Sequence, residues 1–389
     1  MKRNIIFMLL SILLMLSLSA FQCSSTELTS AKLYIQQKNY PKAIEALKKE
    51  VAKNPKSDEG FYWLGVVYGE QGQYKEMVDA LNKSLEISDK YKKEIDNAKK
   101  SYWTGAFNKG VSFFNKASKT TSEDSIKMFR DKAIESFNEA ILIEPDSADN
   151  YKNLSFAYLQ AGQNEEAIQP LQKLISLERS SDSYRILGQI YSQMGVNEEI
   201  KYKKSEDPKD SLAAVQDYND AIKVLEDGRK YFPDDEDILF YLTNAYVGAN
   251  KTDVAMTTFK AGVEKSPNNQ YYRYNYGTLL LQAGDFEKAS EQFKKAIELD
   301  STYHSAYYNL AVSYIRWGTA LREKADSLGK DDPEYRIKYQ EALPLLKKAI
   351  ELKPEDPLSW ETIAKVYAVL GMNKESEDAF KKADQYRPK

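Results

Sequence analysis

Residues 271–300 alternate apolar and polar positions with the period of an α-helix, broken once by a polar turn at Gly284. This pattern predicts two amphipathic helices joined by a turn. Gly277 on the first helix and Ala289 on the second are small where the two helices must approach, and Phe293 is large enough to fill the space beside them. A hairpin of this size cannot bury its own apolar face, so similar hairpins are expected on either side.

The same pattern recurs along the chain with a period of about 34 residues. Each copy has an aromatic residue, a Leu three positions later, a small residue and then a Tyr. Its second helix carries a small or apolar residue followed by a larger one. This pattern resembles the tetratricopeptide repeat (TPR). Two of the copies carry it at Phe61, Leu64, Gly65, Tyr68, Met77 and Leu81, and at Tyr151, Leu154, Ser155, Tyr158, Ala167 and Leu171.

The resemblance implies an all-α protein, a right-handed α-solenoid of about nine TPR hairpins covering residues 23–389. In such an array each copy contacts chiefly its neighbours. Residues 1–22 form a separate segment. We place the copies at residues 24–57, 58–91, 103–147, 148–180, 181–235, 236–269, 270–303, 304–356 and 357–389.

Three copies have an unusually long connection between their two signature positions. The spacing is 12 residues from Gly277 to Ala289, and it is 11, 21 and 19 residues longer in the third, fifth and eighth copies. We predict elongated hairpins in all three copies, and the two longest insertions each contain a polar, proline-bearing turn. Residues 92–102 are a further extra piece. Its apolar Ile95 and Ala98 predict that it lengthens the preceding helix.

The N-terminus resembles an export signal. Lys2 and Arg3 precede a run of apolar and Ser residues at positions 5–18, which is shorter than a membrane-spanning helix. The only cysteine, Cys23, follows this run directly, as in bacterial lipoprotein signals whose cysteine is acylated. Gln22 departs from the small residue usual before it. We therefore predict a lipoprotein-like signal at 1–22, with ordinary cleavage or an uncleaved anchor as alternatives.

The composition restricts the possible functions. With 55 Lys and Arg against 58 Asp and Glu, the net charge is −3, which argues against a nucleic-acid-binding surface. One Cys and one His are too few for a metal cluster or a Cys/His catalytic pair. His304 falls at an ordinary helix start and is expected to be solvated or packed. We therefore expect a non-enzyme with no cofactor, no metal and no small-molecule substrate.

In TPR proteins, first-helix positions two, five, six, nine, twelve and thirteen line the inner groove, and the resemblance implies the same here. Aromatic side chains at position five and Asn amides at position six could contact an extended peptide. Some of them could instead belong to the core between copies. The candidate peptide-binding residues are Tyr62, Phe107, Asn108, Asn153, Phe240, Tyr274, Asn275, Tyr308 and Asn309, with Lys152 and Arg185 at position five of two other copies.

These observations favour a non-catalytic scaffold that binds other proteins or peptides in its groove. We expect it to be exported, to face the periplasm, and to be anchored to the outer membrane through a lipid on Cys23. A secreted soluble form and an N-terminally membrane-anchored form are the alternatives. The competing function is a structural or self-assembling envelope protein whose inserted hairpins mediate oligomerisation.

Overall fold

The computed structural model describes residues 25–329 and 333–387, and these residues contain α-helices and no β-strand. Eighteen α-helices of the described part pair into nine hairpins, so the prediction of an all-α array of repeated hairpins is confirmed. The segment 1–22 and Cys23 lie outside the described residues. The helices are α1 (Thr26–Gln36), α2 (Tyr40–Lys53), α3 (Asp58–Glu70), α4 (Tyr74–Ile87), α5 (Lys92–Lys119), α6 (Glu123–Ile143), α7 (Ala148–Gln160), α8 (Ile168–Leu177), α9 (Ser181–Ser205), α10 (Pro208–Tyr231), α11 (Glu236–Gly248), α12 (Thr252–Lys265), α13 (Gln270–Gln282), α14 (Phe286–Leu299), α15 (His304–Ser327), α16 (Glu334–Leu352), α17 (Pro357–Val369) and α18 (Asn373–Tyr386).

The chain divides after Glu178 into two compact units. The first unit holds the hairpins α1–α2, α3–α4, α5–α6 and α7–α8. Its second helices pack against the first helices that follow them, α2 against α3 and α6 against α7. This packing buries the apolar face that one hairpin alone would expose. The fully buried side chains include Leu47, Met77, Leu81 and Phe137.

The second unit holds the hairpins α9–α10 to α17–α18. Within it α10 packs against α11, α12 against α13, α14 against α15, and α16 against α17. The first helices α11, α13 and α15 also pack side by side, so they form a continuous surface. Its core includes the fully buried side chains of Leu225, Phe259, Phe293 and Leu346.

The small signature residues permit the close approach of the two helices in a hairpin. A Cβ atom added to Gly277 would lie 2.9 Å from the ring of Phe293. At the same position of the second copy, a Cβ added to Gly65 would lie 2.6 Å from Leu81. These distances are shorter than van der Waals contact, so the glycines are needed for the large residue opposite to enter the core.

A left-handed residue turns the chain in each hairpin of ordinary length. Gly284 has a φ of 80°, as the sequence pattern predicts for the turn of the seventh copy. Asp285 follows it, and its carboxylate accepts a hydrogen bond from the backbone N–H of Lys288, so it caps α14. The equivalent turn residues are Lys38, Gly72, Gly162, Asn250 and Gly371.

The three insertions lengthen both helices of their hairpins, as predicted. Helices α5, α6, α9, α10, α15 and α16 have 19 to 28 residues, whereas the others have 10 to 14. In the second elongated hairpin Glu206 and Asp207 alone connect α9 to α10. In the third, residues 330–332 of the connection lie outside the described part. None of the described helices has the length and hydropathy needed to cross a membrane.

The prediction for residues 92–102 is wrong, because this piece begins the following helix. Helix α4 ends at Ile87, where Ser88 adopts an extended backbone with φ of −160° and ψ of 143°. The Ser88 hydroxyl then accepts a hydrogen bond from the backbone N–H of Lys90 and starts a short 3-10 turn. Ile95 is fully buried, so its apolar stripe anchors the first turns of α5.

Candidate protein-binding surface

Tyr274, a predicted groove residue, packs against rings of its own copy and is hydrogen-bonded to the next copy. Its ring centroid lies 5.0 Å from that of Tyr303 and 5.8 Å from that of Phe293. The side-chain amide of Asn309 donates a hydrogen bond of 2.9 Å to the Tyr274 hydroxyl. Burial raises the pKa of Tyr274, so the hydroxyl stays neutral and can accept this bond. Tyr274 and Asn309 therefore connect the seventh and eighth copies rather than standing free in a groove.

Tyr308 repeats this relationship one copy later. Its hydroxyl lies 3.0 Å from the Thr362 hydroxyl, so the two share a hydrogen bond. Tyr308 is at position five of its copy and Thr362 at position six of the next, which are the positions of Tyr274 and Asn309. The contact between position five and the following position six is thus a recurring connection between first helices.

Asn275 is buried, which corrects its assignment to the groove. Only 1% of this residue is exposed. Its side-chain oxygen accepts a hydrogen bond of 3.0 Å from the Thr243 hydroxyl, and its amide nitrogen donates one of 2.9 Å to the Tyr271 carbonyl. The amide is therefore occupied by structural hydrogen bonds and cannot reach a peptide.

The two aromatic candidates in the first unit pack against other rings. Tyr62 stacks on Tyr91 with 4.7 Å between centroids and 5° between planes. Phe107 contacts Trp103 and Phe137 at 5.4 and 5.9 Å, and Phe137 is fully buried. Both candidates are half-buried. The geometry therefore indicates that these position-five aromatics serve packing.

The two polar candidates of the first unit differ in their freedom. The side-chain amide of Asn153 donates a hydrogen bond of 2.8 Å to the Asp149 carbonyl of its own helix. Asn108 is exposed, as is Lys152 at position five of the fourth copy. The peptide-binding role of Asn108 therefore stays a prediction. Asn153 already donates one amide hydrogen to its own helix.

Phe240 is the predicted groove aromatic that is most open to solvent, with 42% of the residue exposed. Its ring meets that of Tyr241 edge-on at 5.4 Å. A phenylalanine has no hydroxyl with which to accept an amide from the next copy, and Asn275, which occupies position six there, bonds Thr243 instead. Phe240 therefore makes no hydrogen bond to the next copy, whereas Tyr274 does.

Polar residues lie one turn before and one turn after Phe240 on α11, at Asp237 and Asn244, and the adjacent first helix contacts this part of α11. Helix α9 packs against α11, and Arg185 Nε lies 3.5 Å from Asp237 Oδ2 across this contact. A hydrogen bond to Asp182 raises the pKa of Arg185 and keeps its guanidinium charged. We call the resulting area the α9/α11 surface. It consists of Arg185 and Gln189 on α9 and of Phe240, Tyr241 and Asn244 on α11.

The α9/α11 surface has the chemical groups that a peptide contact requires. Phe240 and Tyr241 offer apolar ring area with few rotatable bonds. The exposed amides of Gln189 and Asn244 can both donate to a peptide carbonyl and accept from a peptide N–H. Tyr241, Gln189 and Asn244 were not singled out from the sequence, although the positions six and nine that they occupy are groove positions of the repeat family.

His304 has acidic and hydroxyl neighbours, but not in a catalytic arrangement. Its Nε2 lies 3.4 Å from Ser359 Oγ and 3.8 Å from Asp356 Oδ2. A triad needs the carboxylate on the ring nitrogen that does not face the serine. Here Ser359 instead donates a 2.5 Å hydrogen bond to Asp356, which caps α17. Burial lowers the pKa of His304, consistent with a packed neutral side chain. In residues 25–329 and 333–387 there is no metal-binding group of three His, Cys, Asp or Glu side chains.

Three family profiles match the chain. A profile described as TPR repeat matches residues 277–318, and one described as tetratricopeptide repeat matches residues 212–274. A third, described as regulator of microtubule dynamics protein 1-3, matches residues 12–186. The two repeat profiles fall on the second unit, which contains the α9/α11 surface.

The chain is also similar to several proteins in part of its length. It is 33% identical over 105 residues to the photosystem I assembly protein Ycf3 of Rippkaea orientalis, covering 27% of this chain and 58% of that protein. It is 23% identical over 414 residues to the TPR repeat-containing protein MJ1428 of Methanocaldococcus jannaschii, and this match covers 93% of this chain and 69% of that protein. It is 31% identical over 114 residues to serine/threonine-protein phosphatase 5 of Rattus norvegicus, covering 28% and 23%. This chain thus spans less than two thirds of the length of the first and the third.

Among solved structures, similar chains include MamA, with 23% identity, a TM-score of 0.33, and coverage of 46% of this chain and 94% of that one. YrrB, described as a TPR protein with an unusual peptide-binding site, has 22% identity and a TM-score of 0.33, and the match covers 58% of this chain and 96% of YrrB. Yeast Tom70 has 15% identity and a TM-score of 0.37, and the match covers 92% of this chain and 84% of Tom70.

Proposed function

We propose, from the premise that this chain is a tetratricopeptide-repeat protein, that it binds an extended peptide segment of a partner protein on the α9/α11 surface. Proteins of this family are generally scaffolds for protein interactions, and their fold is typically non-catalytic. The observation that carries the proposal is the exposure of Phe240 beside two amides and a charged guanidinium.

The neighbouring candidates support this choice by their contacts. Tyr274 and Tyr308 use their hydroxyls to bond the next copy, so removing either would disturb the fold as well as any groove. Phe240 has no such bond, and its exposed ring is available to a partner. Buried aromatic anchors carry much of the binding energy at protein interfaces, so Phe240 is the residue whose loss should matter most.

Peptide selection tests the proposal. Random peptides displayed on phage are selected on the purified wild-type protein, and the affinities of the selected peptides are measured by fluorescence anisotropy. Phe240→Ala should weaken binding by about tenfold or more, since loss of a central aromatic anchor commonly costs about 2 kcal/mol. Val254→Ala is the matched control, because Val254 on α12 is 49% exposed and lies on a second helix. Equal binding by wild type and Phe240→Ala would reject the α9/α11 surface.

The localisation forms the second part of the proposal. We propose that the protein is exported, lipid-anchored through Cys23 and exposed to the periplasm, where it contributes to envelope assembly. The support is the position of the only cysteine directly after a short apolar run with a basic start. The competing proposal is self-assembly through the elongated hairpins, for which the molar mass of the protein should rise with its concentration.

A further inference from the structure

The first elongated hairpin carries two lysines directed at one phenylalanine ring. Lys116 Nζ on α5 lies 5.4 Å from the centroid of Phe113, and Lys132 Nζ on α6 lies 5.6 Å from the same centroid. Lys116 Nζ is also 5.9 Å from the centroid of Phe129, which stacks on Phe113 at 6.1 Å. We call these four residues the Phe113 cluster. All three distances from a lysine Nζ to a ring centroid are within the range of a cation–π interaction.

The two ammonium groups of the Phe113 cluster have no acidic partner. Within residues 25–329 and 333–387, no carboxylate oxygen lies within 4.0 Å of Lys116 Nζ or Lys132 Nζ. Glu135 is one turn beyond Lys132 on α6 but forms no ion pair with it. Two like charges near one ring repel each other, so a bound carboxylate beside them would offset that repulsion.

The third elongated hairpin places one lysine over two rings and has a carboxylate beside that lysine. Lys338 Nζ lies 4.1 Å from the ring centroid of Trp317 and 5.4 Å from that of Tyr314. Glu341 Oε2, one turn further on the same helix, is 2.9 Å from this ammonium group. The Phe113 cluster therefore lacks the carboxylate that Glu341 supplies beside Lys338 in the third elongated hairpin.

We propose that the Phe113 cluster binds a carboxylate of an acidic linear segment in a partner protein, which takes the place that Glu341 occupies beside Lys338. The flanking rings, both half-buried, would contact an apolar side chain next to the acidic residue. This inference rests on one part of the proposed function, namely that the chain binds a partner protein. It adds a second binding surface, in the first unit, and gives one of the inserted hairpins a role.

The arrangement fits a peptide better than a membrane surface. The rings of Phe113 and Phe129 are half-buried between the helices rather than projecting, so they cannot insert among lipid chains. Stable attachment to anionic lipids needs a broad basic patch or an amphipathic face. Around the Phe113 cluster the acidic residues Asp131 and Glu135 alternate with the lysines of α6, so the local charge is mixed rather than uniformly basic.

The test measures binding of a short fluorescein-labelled, glutamate-rich peptide with one central leucine to the full protein. Its counterpart carries Gln at every Glu. Wild type should bind the acidic peptide and not the neutral one, with affinity falling as salt rises. Lys116→Gln with Lys132→Gln should weaken this binding by about tenfold, the combined effect of two exposed ion pairs. The matched control is Lys119→Gln with Lys127→Gln, which removes the same charge from exposed lysines of the same hairpin.

Each remaining outcome supports or overturns the proposal. Equal loss in the control variant would show that only overall charge matters, and unchanged binding in the Lys116/Lys132 variant would exclude the site. Binding to phosphatidylglycerol–phosphatidylcholine vesicles that is lost in the Lys116/Lys132 variant and kept in the control variant would overturn the peptide proposal and assign the cluster to a membrane. Phe240→Ala should bind the acidic peptide as wild type does, so failure of the α9/α11 surface and failure of the Phe113 cluster are separable.

Discussion

The side-chain amide of Asn309 donates its 2.9 Å hydrogen bond to the hydroxyl of Tyr274, which belongs to the preceding copy. The same two positions are joined in the next pair of copies by Tyr308 and Thr362. Apolar packing between copies is non-directional, whereas a hydrogen bond fixes one side chain against another. These bonds therefore define how adjacent first helices meet in the second unit.

Removing the hydroxyl of Tyr274 should weaken this contact without disturbing the aromatic packing. For Tyr274→Phe we expect the unfolding free energy to fall by about 0.5–1.5 kcal/mol, the net value of a typical hydrogen bond. Urea denaturation followed by circular dichroism measures the change. Tyr307→Phe is the control, since no hydrogen bond to its hydroxyl is present among the described residues. A loss of similar size in both variants would contradict a specific role for the Asn309 bond.

Truncating both tyrosines should destabilise the second unit itself. If these tyrosines only lined a groove, Tyr274→Ala with Tyr308→Ala would abolish partner capture while leaving the helical content nearly unchanged. Because both rings pack half-buried against the core and both hydroxyls are bonded, each truncation should instead cost about 2 kcal/mol, less than the loss of a fully buried aromatic. Thermal unfolding of the double variant checks this. An unchanged melting temperature would restore the groove assignment.

Enlarging Gly277 should damage its own hairpin first. An added Cβ already lies 2.9 Å from Phe293, so Gly277→Leu must displace that ring at a cost of about 1–3 kcal/mol. In an array whose copies contact their neighbours, the loss should be local. Hydrogen exchange should accelerate in α13–α16 and stay unchanged in α1–α4. Equal acceleration in all helices would contradict this expectation.

Alkaline pH should destabilise the second unit through its buried tyrosines. The hydroxyls of Tyr184 and Tyr246 donate hydrogen bonds of 2.9 and 2.8 Å to Asp227 and Glu226. Burial, with these carboxylates, raises the pKa of each tyrosine to about 12 from an ordinary value of 10.0.

Between pH 10 and 12 the unfolded chain therefore loses protons that the folded chain retains. The unfolding free energy should be unaffected by these groups below pH 10 and should fall as the pH rises towards 12. Thermal unfolding across this range, with tyrosinate absorbance as a second signal, measures the effect. Tyr246→Phe should flatten the pH dependence, and an unchanged slope in that variant would refute the assignment.

The lipid anchor predicts how the protein fractionates. If Cys23 is acylated, wild type should partition with membranes and carry a blocked N-terminus, and Cys23→Ser should appear in the soluble fraction. Several acyl chains hold a protein firmly, whereas a single chain binds only marginally. Intact-mass measurement checks the modification. A mature form beginning at Ala20 or Phe21 without added mass would rule out the anchor.

The sequence predicted the hairpins well because their requirements are local. Gly277 and Phe293 are complementary in size within one hairpin, and the left-handed turn at Gly284 depends on a single residue. The binding surface depends on the next copy, which periodicity does not reveal. Position five lies where the core between copies meets solvent. Tyr274 is held there by Asn309, whereas Phe240 makes no such bond and is exposed.

The end of α4 shows the same limit for helix boundaries. The apolar stripe through Ile95 is compatible with either neighbouring helix, so periodicity could not assign residues 92–102. One extended residue, Ser88, decides the matter, because its hydroxyl bonds the backbone of the next turn. Such a side-chain-to-backbone competition depends on local geometry that serine permits but does not require.

The elongated hairpins keep the internal packing of an ordinary hairpin at their base. In the fifth copy Gly188 and Leu225 keep the close contact of an ordinary hairpin, and the additional turns of α9 and α10 lie beyond it. Paired helical arms of this kind can be lengthened or shortened in evolution while the base stays the same. Residues of the added turns, such as those of the Phe113 cluster, can therefore change without disturbing the packing at the base of the hairpin.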